Sequence, residues 1–369
     1  MRRLLVIAGP LSEYSLELLR YVAGIWPCSV HVLHEPLPAS VGFSHERVRF
    51  DGIDCLDWQK ASHLDIVRFV RQCSPDAVIV HGTRPARAIA LALTVLARSV
   101  PKLFVSDTNI YDLVSHRARL LPRLAVYRAL FSQVPVALSL GLSNELALRL
   151  LGARTVIPLP IYAVDYAALD RAREKSVASH SSRKQLVIVA RHVDVKNLSA
   201  AIEAVASSPE LRERLTLSFV GDGPLRSDLE ALADKRKVDA KFLGALPRRQ
   251  VGGILAHADA LLLPSTREPW GIVVCEALGL GIPVIASPAV GAATSLAGQS
   301  GAIIVARSPS EADLAQSIRD FLGASDLLTA AARTAAPRIR QLYALPEVAN
   351  RLARLLEDLR CGTISPTKG

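Results

Sequence analysis

The sequence predicts an α/β protein built from two similar parallel-sheet domains. Short, continuously apolar runs, such as residues 4–8, 77–80, 186–190 and 260–263, alternate with longer segments whose apolar side chains recur at helical spacing. Strands that are apolar on both faces belong to parallel sheets covered by helices on each side. The 369 residues exceed what one core ordinarily serves, since a domain takes roughly 100–200 residues. Between residues 163 and 185 the alternation lapses into YAALDRAREKSVASHSSRKQ, polar, charged and serine-containing like a linker with at most one short helix.

In the first half, residues 4–8, 29–33, 77–80, 103–105 and 136–139 read as strands. Residues 15–23, 63–71, 85–97 and 145–151 read as helices between them. In the second half the strands are 186–190, 216–220, 241–243, 260–263 and 302–305, with helices at 224–235 and 248–257. A further helix starts at residue 309, where SPSE has the form of a capping box. Residues 327–359 form two helical runs rich in alanine, leucine and arginine. The expected divisions are an N-terminal domain at 1–165, a linker at 166–185, a C-terminal domain at 186–343 and a final helix and tail at 344–369. Ligands of such sheets bind outside the carboxyl ends of the strands.

Half of the residues are hydrophobic, enough for two cores. Five cysteines, odd in number and scattered, argue for a reducing compartment and against a zinc or disulfide framework. Residues 1–11 have two arginines and an apolar run but no small-residue cleavage site after them, and read as a first strand rather than an export signal. The long uncharged stretch 277–306 is broken by Gly279, Gly281, Pro283, Pro288, Gly291, Gly298 and Gly301, so no transmembrane helix is expected. These features together predict a cytoplasmic protein. A net charge of +10 suits nucleotide diphosphates, anionic lipid surfaces or nucleic acid. Nucleic acid is set aside, because no stacking surface or recognisable module accompanies the charge.

The most informative stretch is residues 267–287, REPWGIVVCEALGLGIPVIAS. It reads as loop, helix, turn and buried strand. The first amides of a helix have no internal partners and carry the positive end of its dipole, so the start near Gly271 and Ile272 can hold an anion such as a diphosphate. Glu268 precedes that start and Glu276 lies about five residues into the helix, roughly 7 Å further along its axis at 1.5 Å per residue. One carboxylate can then take hydrogen bonds from a hexose and the other from a ribose, with the diphosphate between them. That is the outline of a nucleotide-sugar site.

This stretch, with Glu268 and Glu276 separated by seven residues among Pro269, Gly271, Gly281 and Pro283, resembles the signature of the retaining glycosyltransferases of family 4. The resemblance is strong from residue 186 onward and loose before it. It implies the GT-B fold: two Rossmann-like domains facing a central cleft, with a C-terminal helix, here about residues 346–359, crossing back to the N-terminal domain. It implies transfer of a hexose, with retention, from a nucleotide sugar to a hydroxyl on a glycan or lipid-linked saccharide. Among its expected catalytic residues, Glu268 holds hydroxyls of the donor sugar. In VARHVDVKNL, Arg191 and Lys196 match the family's pair of cations on the leaving diphosphate, although Ala190 stands where glycine is common. Fixed cations aimed at developing charge accelerate such a reaction without a proton transfer. The expected donor contacts are Gly221 and Gly223 of FVGDGPLRSDL, Gly244 of KFLGAL, and Pro269, Trp270, Gly271, Ile272 and Glu276.

No DxD and no His or carboxylate cluster has ligand spacing, so neither a metal nor another cofactor is expected. In the N-terminal half, His81 matches a strand-end histidine of many relatives. Asp107 stands where they often place a sugar-contacting histidine, and both are candidate sugar or acceptor contacts. The glycine-rich turn of relatives after the first strand is reduced here to Gly9. Residues 115–131, SHRARLLPRLAVYRALF, carry Arg117, Arg119, Arg123 and Arg128 without an acid, and Leu120, Leu124, Tyr127 and Phe131 at helical spacing. A basic amphipathic helix of this kind suits an anionic membrane surface at the inner face of the membrane; a core-facing helix with a solvated basic face is the alternative. Two other functions share the pattern: a nucleotide-sugar epimerase of the same fold, and a non-catalytic nucleotide-sugar-binding partner of another transferase.

Overall fold

The computed structural model describes residues 1–35, 53–115, 120–175 and 182–363. The described residues fall into two units. Those up to Ala163 and from Leu345 onward form unit 1, and Val164–Ala344 forms unit 2.

Unit 1 runs β1 (Arg2–Ala8), α1 (Glu13–Ile25), β2 (Cys28–His34), β3 (Asp54–Asp57), α2 (His63–Cys73), β4 (Ala77–His81), α3 (Ala86–Val95), β5 (Lys102–Val105), α4 (Ile110–Ser115), α5 (Leu120–Phe131), β6 (Val136–Ser139), α6 (Leu142–Leu150) and β7 (Thr155–Pro158). Its seven strands are ordered β3-β2-β1-β4-β5-β6-β7, and every pairing is parallel. β1, an interior strand, is buried from Leu4 to its end, as a strand covered on both faces requires. Local chemistry sets the helix starts. Ser12 caps α1 by accepting from the Ser15 amide, and Ser62 and Asp65 make a reciprocal capping box on α2. β3 and β7 were not expected from the sequence. They are the two edge strands, and an edge strand with one neighbour needs no continuous apolar run.

Unit 2 begins with α7 (Tyr166–Lys175), followed by β8 (Lys184–Val189), α8 (Leu198–Ala206), α9 (Pro209–Arg214), β9 (Leu215–Val220), α10 (Arg226–Arg236), β10 (Ala240–Gly244), α11 (Arg248–Ala256), β11 (Ala260–Leu263), α12 (Ile272–Gly279), β12 (Val284–Ala286), α13 (Gly291–Ser300), β13 (Ile303–Val305) and α14 (Glu311–Tyr343). Its parallel sheet is ordered β10-β9-β8-β11-β12-β13. The stretch expected to be a linker with a short helix supplies that helix as α7, which packs into unit 2. The Tyr166 hydroxyl donates to the Cys275 carbonyl at 2.8 Å, and Arg340 forks onto both oxygens of Asp170 at 2.7 Å each. Gly279 exists to admit Tyr166, since a Cβ there would lie 2.0 Å from its ring. α14 starts two residues later than the SPSE reading: Ser310, not Ser308, is the cap and accepts from the Asp313 amide, while Ser308 bonds the Asp313 carboxylate at 2.6 Å. α14 bends at Ala324.

The last helix, α15 (Leu345–Cys361), belongs to unit 1. Its Val348, Leu352 and Leu356 are buried, and Glu357 takes a 2.8 Å hydrogen bond from the Trp26 indole at the end of α1. The chain thus returns to its first unit, the connectivity expected of the GT-B fold. Among the described residues, no helix is long and apolar enough to cross a membrane.

Candidate active site

In unit 2 the chain runs outward from β8 to β9 and β10, then jumps across to β11, β12 and β13. The order therefore reverses between β8 and β11, and the carboxyl ends of strands at such a reversal are where ligands of these sheets bind. β8 is followed by Ala190, Arg191 and a 3₁₀ turn at Asp194–Lys196. β11 is followed by the loop that carries Glu268 into α12. Folding sews these two loops together. The Val195 carbonyl accepts from the Thr266 amide at 2.9 Å, and Asn197 donates to the carbonyls of Pro264 at 3.1 Å and Pro309 at 2.8 Å. The Lys196 ammonium consequently sits on the Glu268 carboxylate as a direct ion pair, with side chains only 13% and 18% exposed. Arg191 lies on the same loop as Lys196, at the end of β8.

The Glu268 loop is held from its other side by the start of α13. Glu268 bridges to Val290, Gly291 N–H donates to the Glu268 carbonyl at 3.1 Å, and Ala292 N–H to the Trp270 carbonyl at 2.8 Å. Gly291 permits this approach, because a Cβ there would fall 2.1 Å from the Pro269 oxygen. Gly271 caps α12 in the left-handed region, φ +85°, with no side-chain capping bond. The uncapped start of α12, where Ile272 is partly exposed, is thus beside the Lys196–Glu268 pair. Trp270, expected as a donor contact, turns its side chain inward; it is buried against Tyr343 with ring centroids 6.0 Å apart. Its side chain therefore supports the loop. Glu276 is 3% exposed on α12, and Arg248 at the start of α11 faces it, Nε to Oε1 at 3.6 Å.

Gly221 and Gly223 serve first to pack the loop after β9 against the loop after β8. A Cβ on Gly221 would lie 2.0 Å from the Ala190 oxygen, and one on Gly223 2.5 Å from the His192 oxygen. Gly244, φ +72°, accepts from the Gly221 amide at 2.8 Å. His192 beneath them is fully buried, edge-on to Phe219 and Phe242 at 6.3 and 6.1 Å. Burial holds its pKa below the usual histidine range, with Asp222 opposing.

In unit 1, His81 ends β4 and Asp107 follows β5. His81 lines a small apolar cavity of about 40 Å³ with Val6, Leu11, Ile161 and Leu352. Burial lowers its pKa, against the pull of Asp107. The Asp107 loop is held by buried Asn144, which donates to the carbonyls of Ser106 at 2.9 Å and Thr108 at 2.6 Å. Of the basic helix expected over 115–131, the described parts are the end of α4 at Ser115 and α5 from Leu120, while Arg117 and Arg119 lie outside the described residues. α5 is not amphipathic in the expected sense. Tyr127, Leu130 and Phe131 face the core, but Leu121 and Val126 are exposed on the other side.

Asn197, Arg248, His192 and Asn144 were not anticipated. Asn197 had a local signal, since asparagine before an apolar helical run suits a left-handed cap. Among the described residues, no three His, Cys, Asp or Glu side chains are grouped to hold a metal ion.

Known proteins resemble this chain in sequence and in fold. The Glycosyl transferases group 1 family matches residues 170–337. Lipopolysaccharide glucosyltransferase WaaG of Escherichia coli is 35% identical over 42% of this chain and 42% of its own. The putative teichuronic acid biosynthesis glycosyltransferase TuaC of Bacillus subtilis is 32% identical over 68% of this chain and 62% of its own. The chain thus spans well under two thirds of the first of these relatives. Among solved structures, Anabaena HepE in complex with UDP-glucose has a TM-score of 0.70 at 16% identity, covering 97% of this chain and all of that one. The WaaG structure has a TM-score of 0.65 at 20% identity, covering 95% and 99%. The fold is that of GT-B glycosyltransferases, and residues 170–337 belong to the group 1 glycosyltransferase family.

Proposed function

We propose that this glycosyltransferase moves a hexose from a nucleotide-diphosphate sugar to a hydroxyl of a glycan or lipid-linked saccharide, with retention of configuration and without a metal. The observation that carries the reading is the Lys196–Glu268 pair beside the uncapped start of α12. It supplies a cation and helix amides for the diphosphate and a carboxylate for sugar hydroxyls within a few residues. Arg191 is the second cation on the leaving phosphate. Glu276, oriented by Arg248, takes the ribose hydroxyls. In the transfer the bond from the anomeric carbon to the diphosphate oxygen breaks and a bond from that carbon to the acceptor oxygen forms. The acceptor's proton goes to the departing phosphate. Anabaena HepE was solved with UDP-glucose, which makes a uridine donor the first to try.

A panel of nucleotide sugars assayed for hydrolysis or transfer tests this reading, with Glu268→Gln and Lys196→Ala as controls. Turnover of at least one donor, strongly reduced in both variants, is expected; no turnover of any donor contradicts it.

The enzyme also acts, on this reading, at the inner face of a membrane. Leu121 and Val126 on α5 and Tyr111 and Val114 on α4 are exposed, Leu121 to 79%, with Arg123 and Arg128 nearby in sequence. Vesicles containing anionic lipid that sediment equally with wild type and with Leu121→Asp/Val126→Asp would refute the contact.

A further inference from the structure

Unit 1 has its own reversal of strand order, between β1 and β4, and hence its own ligand position outside their carboxyl ends. Three features that the donor site does not use come together there. Glu35 follows β2, the neighbour of β1, and Arg84 lies in the loop after β4; Arg84 Nη2 donates to Glu35 Oε1 at 2.5 Å. The acid is 6% exposed and the guanidinium 64%. Glu35 Oε2 is buried without a hydrogen-bond partner. Finally, α3 starts two residues after Arg84, and no side chain caps its first amides. Gly9, in the turn after β1, lies against the stem of Arg84, with a Cβ position 3.5 Å from Arg84 Cδ.

The asymmetry of the pair is the informative point. A buried carboxylate is costly unless a cation compensates it, and Arg84 is its one hydrogen-bond partner among the described residues. Glu35 therefore fixes the guanidinium, while the remaining N–H donors of Arg84 face solvent at the ligand end of the sheet. A fixed, exposed arginine fork matches the oxygens of a phosphate or carboxylate. The open amides of α3 add the positive end of a helix dipole beside it. A site meant for neutral hydroxyls alone would present the acid and bury the cation.

We infer that Arg84, anchored by Glu35, reads an anionic group, a phosphate or carboxylate, on the acceptor. This rests on the transferase reading above and adds the acceptor's chemical class.

Calorimetric titration of the full chain with glucose 6-phosphate, and flotation with phosphatidylglycerol against phosphatidylcholine vesicles, separate a soluble sugar phosphate from a lipid headgroup. Arg84→Gln is expected to weaken whichever probe binds by roughly 10- to 100-fold, Arg84→Lys to weaken it less, and Lys196→Ala to leave it unchanged. Should the single variant fail to fold with Glu35 left unpaired, Glu35→Gln/Arg84→Gln removes both charges together and carries the same expectation. Wild type that binds neither probe overturns the inference. So does binding that Arg84→Gln spares, or that Lys196→Ala alone abolishes, since the latter belongs to unit 2. Nucleoside diphosphate binding to the same proteins tests the transferase reading separately, because it fails only if the unit 2 site is misassigned.

Discussion

The Lys196 ammonium rests directly on the Glu268 carboxylate, and both side chains are largely shielded from water. On the proposed reading the pair parts when a donor binds, the cation going to the diphosphate and the acid to the sugar. Lys196→Ala is expected to lower kcat on the order of 10²-fold, about 3 kcal/mol of transition-state stabilisation. Because the residues act as a pair, Lys196→Ala/Glu268→Gln should cost far less than the sum of the two single losses. Single-turnover kinetics on the four proteins measure this coupling, and simple additivity would separate the two roles.

The glycine positions divide sharply. Gly221→Ala places a methyl 2.0 Å from the Ala190 oxygen at φ +132°, so it should destabilise unit 2 by a few kcal/mol, roughly the cost of forced backbone strain, and weaken donor binding. Gly298 lies within α13 with nothing near its Cβ position. Gly298→Ala should raise stability by about 0.5–1 kcal/mol. Denaturant melts of the two variants check both signs.

Asn197 adopts φ +53° and bonds two carbonyls from distant loops. Asn197→Gly keeps the backbone but loses those bonds, at a cost of about 1 kcal/mol for each. Asn197→Ala adds the left-handed penalty of roughly 1–2 kcal/mol. Turnover should fall in both, since the turn that presents Lys196 loosens. Equal melting temperatures for the two would show that the backbone conformation contributes nothing.

Burial holds His81 and His192 below the usual histidine pKa. Asp107 opposes the shift at His81; at His192, Asp222 and Glu230 oppose it and Arg226 adds to it. In the unfolded chain both titrate near 6.5. The unfolded state therefore binds more protons as pH drops below about 6.5, so stability is full above that pH and declines below it. His192→Leu should flatten the fall in melting temperature between about pH 6.5 and 5; an unchanged slope would remove His192 from the account. Glu357 acts in a lower window. Arg360 first, then Trp26, holds its pKa at about 2 against an ordinary 4.5, so its contribution is lost as pH falls through that range.

Much of this was legible before folding. β1 and β8 announce themselves because a central parallel strand must be apolar on both faces. The edge strand β3, Asp-Cys-Leu-Asp, has no such requirement and gave no signal. α7 read as a linker because its buried residues, Tyr166 and Leu169, are scattered among charges; its place in unit 2 depends on Gly279 and Arg340, more than 100 residues away. Glu268, Glu276, Arg191 and Lys196 stood out because their chemistry and spacing are local. Arg248 facing Glu276, and Asn197 reaching Pro309, were not legible, since the folded chain alone brings those partners together. Trp270 is a related case: the motif marks the position, but only the fold shows that its side chain is buried.

The central claim is that the reversal point of unit 2 grips a diphosphate through Lys196 and the start of α12. Calorimetry with UDP, GDP and ADP on wild type and Lys196→Ala tests it most directly. At least one nucleotide should bind wild type, and the variant should bind it roughly tenfold or more weakly, as loss of a charge-assisted contact requires. Binding of none of the three, or equal binding to both proteins, would contradict the account.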